Sequence, residues 1–214
     1  GNVNVASGPI SIAVPDSPTN PPIPTVLAGV NTALTVAGIP AAAVITGISV
    51  KFNMTHTWCG DMVMVLKAPN GQILNLDYFL NSTGGVGATT GFVNTVISSA
   101  GTAALSSVTN LYTGIFRADR SLAVGTTPAG PTGFAPTTNL WTGLYTNGAS
   151  ANGTWTLAMY DGGAGDVGNL TSWDITIDYL AGIPATGVWN PTSPVNTIFT
   201  DATATTAYVP GTPA

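Results

Sequence analysis

The sequence predicts an all-β fold: an antiparallel β-sandwich of the jelly-roll type, with extended segments at its two ends. Two stretches, beginning near Gly47 and Gly153, alternate apolar and polar residues, as expected for strands with one buried face. The chain is also rich in turn-forming residues, with 26 glycines and 16 prolines. No stretch longer than two turns has the apolar periodicity of a helix. Short strands separated by turns are therefore the expected architecture.

The first half of the chain predicts a long strand followed by a hairpin. Apolar and polar residues alternate from Ile48 to Met54, which predicts a strand with one dry face. Residues 62–66 are apolar at every position, which is typical of a central strand. The turn Pro69-Asn70-Gly71 follows and predicts a hairpin into residues 72–76.

The second half predicts further strands and a second hairpin. Residues 81–136 are rich in Gly, Ser and Thr, with strands expected near residues 92–97 and 112–116. Alternation returns around Trp155, and after a glycine-rich loop it returns again around Trp173. We expect these last two strands to pair as a hairpin, which would place both tryptophans on one core.

The alternating faces predict which side chains are buried together, because successive residues of a strand point to opposite faces of the sheet. The residues at or near the surface are expected to include Lys51, Asp174 and Asp178. The expected core residues are Val50, Phe52, Met54, Val63, Val65, Trp155, Leu157, Trp173, Ile175 and Ile177.

Changes in composition divide the chain into three parts. Residues 1–24 contain six prolines, five of them from Pro15 onward, and are expected to form an extended lead-in, with a short strand near residues 10–14. Residues 25–180 are expected to form the sandwich. Residues 181–214 are rich in Thr, Ala and Pro, and are expected to be a tail that packs on the sandwich or the start of a further module. We also expect the extended ends to add as strands to the sheet edge of an adjoining domain.

The charge content is low, and this excludes some functions. Only 6% of residues are charged, with four Lys or Arg and no glutamate, so the chain lacks the basic surface that nucleic-acid binding requires. No apolar stretch is long enough to span a membrane. Because the chain begins at Gly1, we expect either that a signal segment has been removed or that the chain is part of a larger protein. A neutral, hydroxyl-rich surface of this kind favours an extracellular or cell-surface location.

No combination of residues predicts a catalytic centre or an organic cofactor. His56 is the only histidine, and no Gly-x-Ser-x-Gly motif or second histidine accompanies it, so we expect its ring nitrogens to hold a loop. Cys59 is the only cysteine. It has no recognisable orienting partner for nucleophilic catalysis, and it cannot form a disulfide within the chain. We therefore expect that the chain is not an enzyme.

Three aspartates are candidate metal ligands. Asp161 and Asp166 bracket a glycine-rich loop, and Asp61 precedes the apolar strand. Carboxylate and backbone carbonyl oxygens are the ligands that calcium prefers. The alternative is that these side chains form Asx turns that hold a tight loop without metal. Calcium at Asp61, Asp161 and Asp166 is thus an expectation that competes with a purely structural role.

Two separated sequence blocks resemble the P domain of subtilisin-like proprotein convertases. The first runs from Thr55-His56-Thr57 through Gly60-Asp61 to the Ala68-Pro69-Asn70-Gly71 turn. The second runs from Asn152-Gly153-Thr154-Trp155 through Gly165-Asp166 to Trp173. The resemblance covers roughly residues 25–180 and implies a β-sandwich that stabilises a neighbouring protease domain without doing chemistry. Cys59 and the stretch from Ser121 to Asn139 depart from the family pattern.

The tail supports a different reading of function. Residues 189–209 resemble a segment that recurs in large secreted surface proteins of gliding bacteria of the Bacteroidota type. Together with the low charge, this resemblance implies a structural or adhesive module of a surface assembly, whose partners are other modules or copies of itself. One alternative is a P domain that stabilises a secreted subtilisin-like protease or metalloprotease. A second is a carbohydrate-binding jelly roll that uses exposed Trp141 and Tyr145.

Low charge also has an alternative explanation in glycans. An attached glycan coat keeps a protein soluble without charged side chains. The sequence contains Asn-x-Ser/Thr sequons at Asn53, Asn81, Asn152 and Asn169.

Overall fold

The computed structural model describes residues 1–20, 26–79, 91–108, 111–118 and 130–182, together with the backbone of two further short strands. Two sheets pack face to face, and all but one of the strand pairs within them are antiparallel. The predicted all-β sandwich is confirmed. Helical structure in these residues is limited to the four-residue helix α1 (Gly148–Ala151) and short 3-10 turns at Cys59–Asp61, Leu105–Ser107 and Trp141–Leu144.

The first sheet is built around two long strands that pair along almost their whole length. Its members are β1 (Asn2–Ala6), β2 (Ile12–Val14), β4 (Val44–His56), β7 (Phe92–Ser98), β8 (Tyr112–Phe116) and β10 (Gly168–Leu180). β10 lies between β4 on one side and β1 and β2 on the other. β7 and then β8 continue the sheet beyond β4, and β8 is parallel to β7.

The second sheet has four antiparallel strands: β3 (Val30–Val36), β5 (Met62–Lys67), β6 (Ile73–Tyr78) and β9 (Gly153–Asp161). Across the sheet their order is β3, β9, β5, β6. The predicted hairpin is present as β5 and β6, which are joined by a turn with Gly71 at φ +86°. Two short strands, β11 (Val188–Trp189) and β12 (Ile198–Phe199), pair with each other.

The core lies between the sheets and follows the predicted faces. All ten predicted core residues are buried. Along β4, the side chain of Lys51 is 44% exposed while that of Phe52 is completely buried, as period-two alternation requires. Lys51 forms an ion pair of 3.1 Å with Asp174 on the neighbouring strand.

The expectation that all ten residues share one core is wrong for Val63 and Val65. They lie on the outer face of the second sheet, in two separate apolar clusters. Phe134 and Leu27 pack on these clusters, so residues from two loops cover the outer face. β5 is therefore buried on both sides, which explains why residues 62–66 are apolar at every position. Phe134 belongs to the stretch from Ser121 to Asn139, which departs from the P-domain pattern, so the described part of that stretch has a structural role.

The predicted hairpin of the last two strands is also wrong. β9 belongs to the second sheet and β10 to the first, so the glycine-rich loop crosses from one sheet to the other. Trp155 and Trp173 nevertheless pack in the same core cluster, because each strand turns its tryptophan toward the space between the sheets. Alternation defined the buried face of each strand but did not define its hydrogen-bonded neighbour.

The N-terminal lead-in is extended, as expected, and it contains a strand at Ile12–Val14 within the predicted residues 10–14. A further strand, Asn2–Ala6, was not predicted. Both strands hydrogen-bond to β10 of the same chain, and the expectation that this end adds to the sheet of an adjoining domain stays a prediction. Apart from β11 and β12, the tail beyond Gly182 lies outside the described residues. The division of the chain into three parts stays a prediction.

Candidate functional site

The glycine-rich loop at residues 162–167 lies at one end of the sandwich and is bound to the end of β4. The hydroxyl of Thr57 donates a hydrogen bond to Oδ1 of Asp166 (2.8 Å) and accepts one from the N–H of Val167 (3.0 Å). The N–H of Thr57 donates to the carbonyl of Val167 (3.2 Å). These three contacts fix the part of the loop that precedes β10.

His56, the last residue of β4, is buried next to this loop, and both of its ring nitrogens face groups of the chain itself. Nδ1 accepts a hydrogen bond from the backbone N–H of Trp58 (3.1 Å), so the neutral ring carries its proton on Nε2. Nε2 lies 3.3 Å from Oδ2 of Asp161, and both side chains are fully buried. Oδ1 of Asp161 accepts from the N–H of Gly163 (3.0 Å). His56 therefore anchors the turn at Trp58 through Nδ1, and its Nε2 lies against the buried Asp161 carboxylate without a well-aligned hydrogen bond.

Two glycines leave room for these buried side chains. A Cβ atom on Gly168 would lie 2.3 Å from Cδ2 of His56, and one on Gly163 would lie 1.8 Å from Oδ2 of Asp61. Both distances are far below van der Waals contact. Glycine at these two positions is therefore required by the close approach of backbone to side chain.

The three candidate calcium ligands lie around this loop but already have contacts within the protein. Asp61 and Asp161 are buried, whereas Asp166 is partly exposed and bound to Thr57. Within the described residues, no three or more His, Cys, Asp or Glu side chains are grouped so as to hold a metal ion. Calcium requires six to eight oxygen ligands. Calcium binding at Asp61, Asp161 and Asp166 stays a prediction.

Residues 15–20 also contribute to this site, which the sequence analysis missed. Both carboxylate oxygens of Asp16 accept from the N–H of Gly165, at 3.0 and 3.1 Å. The side-chain oxygen of Asn20 accepts from the N–H of Ala164. Asp and Asn between prolines are typical acceptors for backbone N–H groups in loops. Their partners lie as far as 149 residues along the chain, so no local pattern could have identified them.

Cys59 is a core residue. Its side chain is fully buried within the 3-10 turn that precedes β5. Burial raises the pKa of the thiol from 9.0 to about 12. Because the thiolate is the reactive form, this cysteine is unreactive near neutral pH. The arrangement therefore offers no activated nucleophile at the only cysteine of the chain.

A pocket of about 290 Å³ lies near the other candidate binding residues. Trp141 and Tyr145 line it together with Leu140, Ser99 and Thr46. The expectation that Trp141 is an exposed platform for sugars is wrong, because Trp141 is only 6% exposed and belongs to the main core. Burial also raises the pKa of Tyr145. The aromatic rings thus form the wall of the pocket and do not lie flat on the surface.

Two of the sequon asparagines have amide groups that the fold already uses. The amide nitrogen of Asn53 donates to the hydroxyl of Ser172 on the neighbouring strand (3.0 Å). That of Asn152 donates to the carbonyl of Ile39 (2.8 Å), and its oxygen accepts from the N–H of the same residue (3.0 Å). A glycan on either nitrogen would replace one of its two hydrogens and would have to fit beside these contacts. Asn81 lies outside the described residues.

Comparison with known proteins finds similarity by sequence to a curated enzyme. The chain is 29% identical over 168 residues to leupeptin-inactivating enzyme 1 of Streptomyces exfoliatus. This match covers 77% of the chain but 24% of that protein, so the chain spans about a quarter of its relative. No protein-family model matches the chain. The P-domain resemblance is therefore not confirmed and stays a prediction.

Solved structures show only a distant likeness. The serine protease of Aeromonas sobria has a TM-score of 0.36 and 14% identity, covering 82% of this chain and 27% of the protease. The same protease in complex with its chaperone has a TM-score of 0.35 and 16% identity, with the same coverage of both chains. Within the described residues, no helix has the length and apolar character needed to cross a membrane.

Proposed function

We propose that this chain is a non-catalytic β-sandwich module of a larger exported protein, in which it packs against a peptide-cleaving domain and stabilises it. One observation carries this proposal. The sequence match covers most of the chain but only 24% of leupeptin-inactivating enzyme 1, as expected for an accessory module of a larger enzyme. The P-domain resemblance supports the same role, because domains of that family stabilise a catalytic neighbour.

The chemistry of the site is consistent with a supporting role. His56 and Asp161 are buried with their side chains 3.3 Å apart, and burial holds the thiol of Cys59 in its unreactive form. General acid–base or nucleophilic catalysis needs a side chain that can reach a substrate. We therefore expect the purified chain not to hydrolyse peptides. Peptide hydrolysis that persists after repurification and is lost in a His56→Ala variant would contradict this expectation.

The proposed contact surface lies where β10 ends. Val44 and Leu180 are register partners in neighbouring strands, and they are 61% and 64% exposed. Leu140, 52% exposed, lies at the nearby pocket, which is also lined by Thr46, two residues after Val44. Large exposed apolar patches mark protein contacts, and neighbouring exposed apolar side chains are the residues from which such a patch is built. The low charge of the chain also lowers the repulsion between packed domains.

The test uses the natural protein that contains this chain, expressed with and without the module. We expect removal of the module to lower the temperature at which peptidase activity is lost. The double variant Val44→Asp/Leu180→Asp should have the same effect, because it places two charges in the proposed contact. Ile115→Asp is the matched control, since Ile115 is 62% exposed but lies on β8 at the far edge of the first sheet.

The same experiment distinguishes the stabilising function from the structural or adhesive function that the low charge and the tail implied. If peptidase stability is unchanged when the module is removed, but the protein no longer attaches to the cell surface, the adhesive function holds and the stabilising function does not. Equal effects of the double variant and of Ile115→Asp would contradict the proposed contact surface.

A further inference from the structure

The pocket of about 290 Å³ beside the first residues of β4 combines aromatic rings with hydroxyl groups. Trp141 and Tyr145 contribute the rings, and Thr46, Ser99 and Thr142 contribute the hydroxyls. Its volume is at the lower end of the range for ligand pockets in proteins. The pocket therefore has room for a single long side chain and not for a large organic ligand.

The carboxylate of Asp178 lies next to two residues of the pocket wall, Gly47 and Ser99. A Cβ atom on Gly47 would lie 3.2 Å from Oδ2 of Asp178 and 3.6 Å from Oγ of Ser99. Oγ of Ser99 is itself held in place, because it accepts a hydrogen bond from the N–H of Ile48 (3.0 Å). Since Gly47 has no side chain, the carboxylate and the hydroxyl lie on either side of an open space at this wall.

Asp178 is exposed, and no basic group in the described part of the chain forms an ion pair with it. The described basic side chains have contacts elsewhere: Lys51 with Asp174, Lys67 with the ring of Phe134, and Arg117 with the carbonyl of Thr102. The carboxylate thus offers a counter-ion for a positive charge that another molecule brings to the pocket.

This combination of groups fits a guanidinium better than an ammonium ion. A guanidinium is planar, carries several N–H donors in a fixed fork and stacks on aromatic rings, whereas an ammonium is a compact and strongly hydrated charge. Its donors can reach a carboxylate and hydroxyl oxygens at the same time, and the attraction between a cation and an aromatic ring adds to these contacts. The exposed apolar side chains of Leu140, Val44 and Leu180 lie in the same region and would contact the residues that flank an arginine.

We propose that this pocket binds an arginine side chain presented by a partner protein, with Asp178 as the counter-ion. Arginine is enriched in protein interfaces, and its charge is complementary to a chain whose formal net charge is −5. The proposal goes beyond the proposed function, because it depends on the pocket of this chain and not on whether the partner cleaves peptides. A peptide titration of the isolated chain therefore tests it separately from the heat stability of the natural protein.

The test titrates the full chain with acetyl-Leu-Arg-Leu-amide and follows the backbone amide signals by NMR. The control peptide carries citrulline in place of arginine, which keeps the length and the planar end group but removes the charge. We expect the arginine peptide to shift the amide signals of Gly47, Ser99 and Thr142. It should bind about threefold to fivefold more tightly than the citrulline peptide, which is the range for a partly solvated ion pair. A third peptide, with lysine in place of arginine, should bind more weakly than the arginine peptide.

Two variants assign the binding to the proposed groups. Asp178→Asn removes the counter-ion, so the arginine peptide should then bind no more tightly than the citrulline peptide. The matched control is Asp174→Asn, which removes the same charge from the same strand, where Asp174 pairs with Lys51. It should leave the preference for arginine unchanged. Tyr145→Leu keeps an apolar side chain but removes the ring, and should weaken binding of the arginine peptide by about twofold to fivefold.

Several results would overturn the proposal. Equal binding of the arginine and citrulline peptides would show that charge has no part in recognition, and equal binding of the lysine peptide would remove the assignment to arginine. A preference for arginine that remains in Asp178→Asn would show that this carboxylate is not the counter-ion. The absence of shifts at the pocket would also overturn the proposal, as would shifts caused by maltose but not by the arginine peptide, which would favour a carbohydrate site. Circular dichroism of each variant verifies that the sandwich is intact.

Discussion

The buried contact between His56 and Asp161 gives the sharpest prediction about stability. The two side chains are fully buried, with Nε2 and Oδ2 separated by 3.3 Å. Replacing His56 by Ala removes the partner of a buried carboxylate and also the acceptor of the Trp58 N–H. Leaving a buried polar group such as the Trp58 N–H without its partner typically costs about 1 to 3 kcal/mol. We therefore expect His56→Ala to lower the free energy of unfolding by about that amount.

Asp161→Asn tests the same contact without changing the size of the side chain. Oδ1 of the carboxylate accepts from the N–H of Gly163, and Oδ2 faces a second donor group, Nε2 of His56, at 3.3 Å. An amide has only one oxygen, so whichever way it turns, its NH₂ group faces one of these donors. One donor is left unpaired in the interior. We expect a cost of about 1 to 3 kcal/mol.

An exposed ion pair in the same protein provides the control. Lys51 and Asp174 are 3.1 Å apart, but their side chains are 44% and 15% exposed. Partly solvated pairs contribute about 0 to 1 kcal/mol, so Lys51→Ala should change stability little. Equilibrium unfolding in urea, followed by tryptophan fluorescence and circular dichroism, measures all three variants. If His56→Ala is no more destabilising than Lys51→Ala, the inference that His56 anchors the turn at Trp58 is wrong.

Three further predictions concern the core, the thiol and the sequons. Trp155→Ala should lower the free energy of unfolding by about 3 to 5 kcal/mol, because the ring is completely buried; a loss below about 1 kcal/mol in the urea assay would contradict this. Iodoacetamide should not modify native Cys59 near neutral pH, whereas the unfolded chain reacts. In the unfolded state the thiol ionises from about pH 9, but in the folded state it ionises only near pH 12. Between these pH values, the contribution of the thiol to the free energy of unfolding therefore falls by up to about 1.4 kcal/mol per pH unit. Cys59→Ala should remove this part of the dependence of stability on pH. If the slope of the free energy of unfolding against pH is unchanged, the assignment of that dependence to Cys59 is wrong. In a glycosylating host, peptide mapping should find Asn53 and Asn152 unmodified in the folded protein; a glycan on Asn152 would show that its contact with Ile39 is dispensable.

The sequence predicted the faces of the strands better than their neighbours. From Ile48 to Met54, alternation identified the buried side chains because burial depends only on the direction in which each residue points. Pairing depends on where the chain goes between strands. The loop from Asp161 crosses between sheets, and no local pattern distinguishes a crossing from a hairpin. The same limit hid β1, since its pairing with β10 joins residues more than 160 positions apart, such as Asn2 and Asp178.

The candidate metal site illustrates how one pattern can arise from a different physical cause. Aspartates around a glycine-rich loop predict oxygen ligands for calcium, and the same residues are also what close packing requires here. Gly163 is needed because the Asp61 carboxylate occupies the space of its Cβ, and Gly168 because His56 lies against it. Asp161 and His56 then face each other across the loop at 3.3 Å, and Oδ1 of Asp161 accepts from the N–H of Gly163. Gly163, Gly168 and Asp161 thus each have a packing or hydrogen-bonding role in this loop that is separate from any binding of metal.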